Sequence, residues 1–236
     1  SQLVSEGMAG DLQGDVFLQA AARRVDWSTA GVAVQTDAGR FEAERVIFAC
    51  APAMIQQVGF APALPAARRL LHQRFPNGRN TKAVAVYDRP FWRDKGLNGH
   101  VISTSGALTA ALDISGADPD RGVMIALFSG KAALRVDPLD AAARRQMVLG
   151  VLAQALGPEA LAPQEFHLQV WADEDWSGGA SSPFLVPGQL TQYGESLRAP
   201  TGPFHWAGTH MATEYRGYME GALAAGEAAA RQILET

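Results

Sequence analysis

The stretch that most limits what this chain can fold into is its last one, Phe204 to Thr236, FHWAGTHMATEYRGYMEGALAAGEAAARQILET. It reads as a short buried strand over Phe204 to Ala207, a tight turn at Gly208, an irregular connection through Thr213 and Glu214, and a long helix starting near Gly217. Tyr218, Ala222, Ala225, Ala229 and Ile233 recur at three- and four-residue spacing, so one helix face is apolar and small. Gly217, Gly221 and Gly226 keep the start of that helix free of side-chain bulk. A strand feeding a glycine-lined helix N-terminus offers backbone N–H donors and the positive end of a helix dipole, which suit a phosphate or an electron-rich ring edge. The same small residues also serve plain close packing of a terminal helix on a sheet, and spacing alone leaves both readings open.

Composition narrows the class. The chain has 236 residues, 47% hydrophobic and 19% charged, enough to bury a substantial core. A formal net charge of -4 without a Lys/Arg-rich run speaks against nucleic-acid binding. The lone Cys50 precludes an internal disulfide, and the five histidines show no pairing at metal-ligand spacing, so no metal is expected. There is no apolar run long enough to span a membrane, and SQLVSEGMAG lacks the charged and apolar regions of a signal peptide. These features predict a reducing, cytoplasmic setting without a membrane partner.

Taken in order, residues 1–12 predict a short helix, followed by strand-like pieces at Val16 to Leu18 and Ala22 to Trp27. Alternation at Val32, Val34 and Thr36, a turn at Asp37 to Gly39, and Phe41 predict a hairpin or meander. The apolar run Val46 to Ala51, closed by Pro52, predicts a strand buried on both faces, where the sheet turns parallel. Short elements then dominate. Helices are expected at Ala53 to Gln57, Ala66 to Arg74 and Asp137 to Leu156, the last with Pro138 in its first turn. Strands are expected at Lys82 to Tyr87, His100 to Thr104, Val123 to Phe128 and Phe166 to Trp171, with a short helical piece around Leu190 to Tyr193.

Two further stretches carry chemistry. In NGRNTKAVAVYDRPFW, residues 77–92, Lys82 opens an otherwise apolar strand, a place where a lysine is ordinarily a solvated edge residue. In WADEDWSGGASSPFLVPGQLTQYG, residues 171–194, Trp171 and Trp176 bracket three acids, so one tryptophan is expected to be buried while the loop stays wet. His210, after Gly208-Thr209, reads as an exposed loop histidine.

Taken together, hydrophobic-AGT followed by GYMEGA, Lys82 ahead of Tyr87 and Pro90-Phe91-Trp92-Arg93, and Trp171 ahead of Ser177-Gly178-Gly179 resemble the flavin-containing amine oxidase (monoamine oxidase) family. The resemblance covers the whole chain but only the C-terminal half of the family. It implies a mixture of α/β and α+β: a partial FAD-binding domain of Rossmann-like, glutathione-reductase type, with an inserted, mostly antiparallel substrate-binding domain. The expected divisions are 1–54 and 187–236 for the FAD-binding part and 55–186 for the insert. It implies cofactor contacts at Ala22, Gly208, Thr209, Gly217 and Met219. Lys82 would hold a water at the flavin N5, where a fixed positive charge favours developing negative charge on oxygen. Trp171 and Tyr218 would form walls of the site.

The chain departs from the family twice after Ser177-Gly178-Gly179, and once more at His210, where the family usually has a glutamate after Gly-Thr. A cysteine that in some members bonds the flavin is Ala180 here, which implies non-covalent FAD. A tyrosine that forms one wall of an aromatic cage is Ser181, leaving Tyr218 as the other wall and a roomier or more polar substrate pocket. The GxGxxG strand–turn–helix that grips the ADP end of such a cofactor is absent from the 236 residues, so an N-terminal dinucleotide-binding half is expected as a partner chain or a further segment. The expected activity is hydride transfer from an amine α-carbon to flavin N5, with O2 as acceptor and peroxide as product. The alternatives are a flavoprotein desaturase or oxidase acting on a non-amine substrate, and a non-catalytic subunit that has lost the cofactor.

Overall fold

The structure is a computed structural model that describes residues 2–116, 120–180, 185 and 187–235. Along the chain it runs α1 (Gln2–Gly10), β1 (Ala22–Ser28), β2 (Gly31–Thr36), β3 (Gly39–Ala43), β4 (Val46–Phe48), α2 (Pro52–Ile55), β5 (Gly59–Ala61) and α3 (Ala66–Gln73). It continues with β6 (Asn80–Tyr87), α4 (Phe91–Asp94), β7 (Val101–Ile102), β8 (Ala110–Asp113), β9 (Gly122–Ser129), α5 (Lys131–Val136), α6 (Ala141–Leu156) and β10 (Glu165–Val170). It closes with α7 (Gln189–Arg198), β11 (Phe204–Trp206) and α8 (Met219–Leu234). The chain divides into two compact units, Ser1–Arg74 with Pro187–Thr236, and Phe75–Val186.

In the first unit, β1, β2 and β3 form an antiparallel meander, and β5 adds to β1 in parallel. A separate two-stranded sheet pairs β4 with β11 in parallel. Phe48, Phe60, Phe204 and Trp206 meet as an aromatic cluster between these layers, with Phe48 stacked on Trp206 at 5.3 Å between centroids. The buried Arg68 guanidinium of α3 lies 4.2 Å over the Trp206 ring and donates to the carbonyls of Leu197 and Ala199 at the end of α7. It thereby caps the last carbonyls of that helix with a cation. Residues 55–74, assigned above to the substrate-binding part, pack in this unit, because β5 pairs with β1 and Arg68 on α3 caps α7.

The second unit is built on an antiparallel sheet in the order β10-β6-β9-β8-β7. One face carries Ala83, Ala85, Tyr87, Met124, Ala126 and Phe128 into a core shared with Val136, Val148, Leu149 and Leu152 of α5 and α6. Small residues on the strands let the two helices approach the sheet closely.

Several elements differ from the sequence reading. Val16 to Leu18 is irregular, and α1 buries none of its residues. The Val46 run keeps strand geometry only to Phe48, and Ile47 is 40% exposed, so the strand is open on one face. The helix expected from Asp137 is two helices: α5 ends at Val136, and α6 starts at Ala141 with the Asp140 carboxylate accepting from Ala143 N–H at 2.8 Å. Asp137-Pro138 and Asp140 both look like helix starts, and Asp137 is committed elsewhere, to Arg79 and Thr81.

Candidate functional site

In the first unit, β11 ends at Trp206 and the chain turns at Gly208, whose φ of 95° favours glycine; a Cβ there would lie 3.0 Å from the Ala49 carbonyl oxygen. A short 3-10 turn, Thr209–Met211, follows. The Thr209 hydroxyl accepts from Gly217 N–H at 2.5 Å, tying the loop to the start of α8. Gly221 is required by packing, since a Cβ would meet the Tyr215 carbonyl oxygen at 2.4 Å, whereas Gly226 has open space around it. α8 therefore starts at Met219, with Tyr218 as its N-cap and no side-chain cap bond, so the helix opens on uncapped N–H groups. Tyr218 is 71% exposed and Met219 is also exposed.

Two arginines brace the loop. Arg198 donates to the Met211 and Ala212 carbonyls, and Arg216 donates to Ala212. His210, expected to be exposed, is only 7% exposed; burial, and then the Arg216 charge, push its pKa down and keep it neutral. Its burial follows from the 3-10 turn, which folds residue 210 inward where an extended loop would leave it in water. Ala22, the first residue of β1, pairs with Thr36 beside an irregularity in the ladder.

In the second unit, the face of the sheet opposite the core carries Lys82 and Val84 of β6, Ile125 of β9, and His167 and Gln169 of β10. Register sets Lys82 beside Gln169 and Val84 beside His167. With Trp171 these residues line an open cleft of about 550 Å³. Gln169 donates to Glu174 at 2.7 Å, and His167 meets Glu165 at 3.2 Å, so the rim is polar while the floor is apolar. Lys82 is exposed, as an edge lysine would be, yet it stands on a strand paired on both sides, opposite Gln169 on one neighbour and Leu127 on the other. The expectation of one buried tryptophan fails: Trp171 and Trp176 are both exposed, because the acidic turn between them leaves the sheet.

Ala180 is held by its N–H donating to Gly78 O at 2.7 Å, and Gly179 passes so near that a Cβ would lie 2.7 Å from the same oxygen. Ser181 lies outside the described residues. The sequence reading thus finds Lys82 and Trp171 on one cleft and Gly208, Thr209, Gly217, Tyr218 and Met219 on one strand–turn–helix. It missed Val84, Ile125, His167 and Gln169, which the period of two and the β6–β10 register would have given. Among the described residues no cluster of His, Cys, Asp or Glu could hold a metal, and no helix is long and apolar enough to cross a membrane.

Comparison with known proteins bears on both units. Residues 1–234 match the family described as flavin containing amine oxidoreductase. The chain is 36% identical over 229 residues to the flavin-containing amine oxidase A of Equus caballus, covering 95% of this chain and 44% of that protein. It is 34% identical over 231 residues to a protein of Synechocystis named L-amino acid dehydrogenase, covering 98% and 49% respectively. A solved structure of putrescine oxidase bound to putrescine superposes with a TM-score of 0.94 at 35% identity, covering all of this chain and 53% of that one. The chain spans about half the length of the curated relatives it matches. Match length and three-dimensional likeness agree, and the chain belongs to the flavin-containing amine oxidoreductase family.

Proposed function

We propose that the chain supplies the C-terminal half of an FAD-dependent amine oxidase and holds the ring end of the cofactor. The observation that supports this most directly is Lys82, a lone cation on the apolar open face of a central strand, in a cleft with Trp171. Residues of the first unit fit the cofactor too. At Gly208 a φ of 95° and a Cβ position 3.0 Å from the Ala49 carbonyl oxygen keep side-chain bulk away from the backbone, α8 opens on uncapped donors, and Arg198 and Arg216 bring positive charge to the adjoining loop, offset in part by Glu214, to favour an anion such as a pyrophosphate. Thr209 orients the loop through Gly217 N–H, so Gly217 contributes its missing side chain rather than a free donor. Ala22 would offer backbone to the adenine end.

Bound flavin would supply the redox chemistry, accepting a hydride from the carbon next to a neutral amine nitrogen and passing its electrons to oxygen. The chain's own residues do the rest. Lys82 holds a positive charge, and a water, at the reacting edge, favouring developing negative charge on oxygen. Trp171 would wall the substrate in the cleft of the second unit, and Tyr218 is proposed as an aromatic wall at the start of α8. No general base is needed where the amine arrives neutral. Ala180 has no sulfur, so FAD is held non-covalently. The grip on the ADP end is assigned to a dinucleotide-binding half outside this chain.

The test is made on the whole protein that carries this sequence. A yellow preparation absorbing near about 450 nm, and peroxide release from a panel of mono- and diamines, are the expected results. A colourless preparation refutes the reading. The relative named L-amino acid dehydrogenase motivates a second arm, with L-amino acids and an artificial electron acceptor; turnover there without peroxide would replace oxygen as the acceptor.

A further inference from the structure

We infer that Asp137 is a positioning residue for Lys82, an inference that rests on the role given to Lys82 above. Strand β6 includes Thr81-Lys82-Ala83-Val84-Ala85-Val86-Tyr87, with Thr81, the alanines and Tyr87 on the core face and Lys82, Val84 and Val86 on the other, Val86 itself being buried. Shifting the strand by one residue would exchange its faces, turning Lys82 into the core and Tyr87 out of it. Side-chain character thus sets which way the strand faces, and polar bonds at its two ends fix how firmly it is held.

At the start, Thr81 is 0% exposed and its hydroxyl donates to Asp137 Oδ1 at 2.5 Å. The other carboxylate oxygen accepts from Arg79 Nε at 2.6 Å. Asp137 is itself fixed at the end of α5, where its N–H donates to Ala133 O at 2.8 Å and its carbonyl accepts from Arg144. At the far end the Tyr87 hydroxyl donates to Ala160 O at 3.0 Å. Thr81 must therefore face the core. Its successor, Lys82, must then stand on the cleft side. A buried carboxylate with two charge-assisted or hydroxyl donors is costly to disturb, which makes it a stiff anchor.

The variants are Thr81→Val, which keeps the shape and removes the hydroxyl, Thr81→Ser, which restores a hydroxyl, and Asp137→Leu, each made in the flavin-loaded whole protein. Two readouts are used: the rate of reductive methylation of Lys82, followed by peptide mass spectrometry with Lys131 on α5 as internal reference, and the separate rates of flavin reduction by amine and reoxidation by oxygen. Misplacement by about 1 Å costs up to about 100-fold in rate, so Thr81→Val and Asp137→Leu are expected to slow reoxidation by about 10-fold or more. Amine reduction should change little, Lys82 methylation should shift relative to Lys131, and Thr81→Ser should resemble the parent. Unchanged Lys82 reactivity in Thr81→Val, or an equal shift at Lys131, overturns the inference. If Lys82 reactivity shifts but Lys82→Met leaves reoxidation intact, the positioning stands and the role given to Lys82 falls. Should Asp137→Leu fail to fold, Thr81→Val decides alone.

Discussion

His72 gives the protein a calculable weakness to acid. It lies on α3 with 3% of its surface exposed, its ring edge-on to Trp206 at 5.2 Å, and its Nε2 has no hydrogen-bond partner among the described residues. Burial first, and then repulsion from the Arg68 guanidinium, push its pKa down from 6.5 to about 3. The unfolded chain takes up a proton on this residue below pH 6.5, while the folded chain refuses it until about pH 3. Between those limits the unfolded state binds more protons, so stability falls as pH falls, by about 1.4 kcal/mol per pH unit. Through this residue alone, going from pH 6.5 to pH 5 removes about 2 kcal/mol, and continuing to pH 3 brings the total to about 4. His72→Leu takes away the proton site and fills the place with an apolar side chain. Urea unfolding of the whole protein at pH 7, 6, 5 and 4.5 measures the difference curve, which cancels other acid-labile groups such as the buried His210. The variant should be at least as stable as the parent at pH 7, because an unpartnered buried polar group is gone, and should gain on it by about 2 kcal/mol by pH 5. Parallel curves would refute the reasoning.

Two further outcomes follow from packing and chemistry at the candidate cofactor site. Gly221→Ala drives a Cβ into the Tyr215 carbonyl and should cost about 1–3 kcal/mol together with weaker flavin retention, while Gly226→Ala, with open space around it, should be neutral or stabilising by up to about 1 kcal/mol; thermal melts and the ratio of flavin to protein absorbance read both. With Ala180 where a thioether would form, acid precipitation should leave the flavin in the supernatant, and flavin remaining with the pelleted protein would contradict non-covalent binding.

Local periodicity made much of the fold legible. The meander β1–β3 follows from the alternation of Val32, Val34 and Thr36 around a turn at Asp37, and β6, β9 and β10 lie within two residues of their expected places. The C-terminal strand, turn and helix were legible because Gly208 and Gly221 are demanded by contacts a Cβ would break. What stayed hidden depends on partners far away in sequence. Asp137 resembles a helix cap as much as Asp140 does; only its bonds to Arg79 and Thr81, more than fifty positions upstream, decide between them. His210 is inside for a similar reason, since a 3-10 turn that no periodicity announces carries it there.

Strand β6 joins the two kinds of information. Its core face carries Thr81, Ala83, Ala85 and Tyr87, and its other face carries the exposed Lys82, a half-buried Val84 and a buried Val86. A central strand that keeps a lysine and a partly exposed valine on one face leaves surface that packing alone does not require. Such a departure is expected where a surface is shaped for a ligand rather than for packing. Val84 and Ile125 supply an apolar floor, Gln169 and His167 a polar rim, and Lys82 the single cation among them. The carboxylate of Asp137, on the far side of the sheet, holds Thr81 inward and so keeps Lys82 on that face. The residue that fits worst in a plain core strand, Lys82, is therefore the one that marks the open face of β6 as a site.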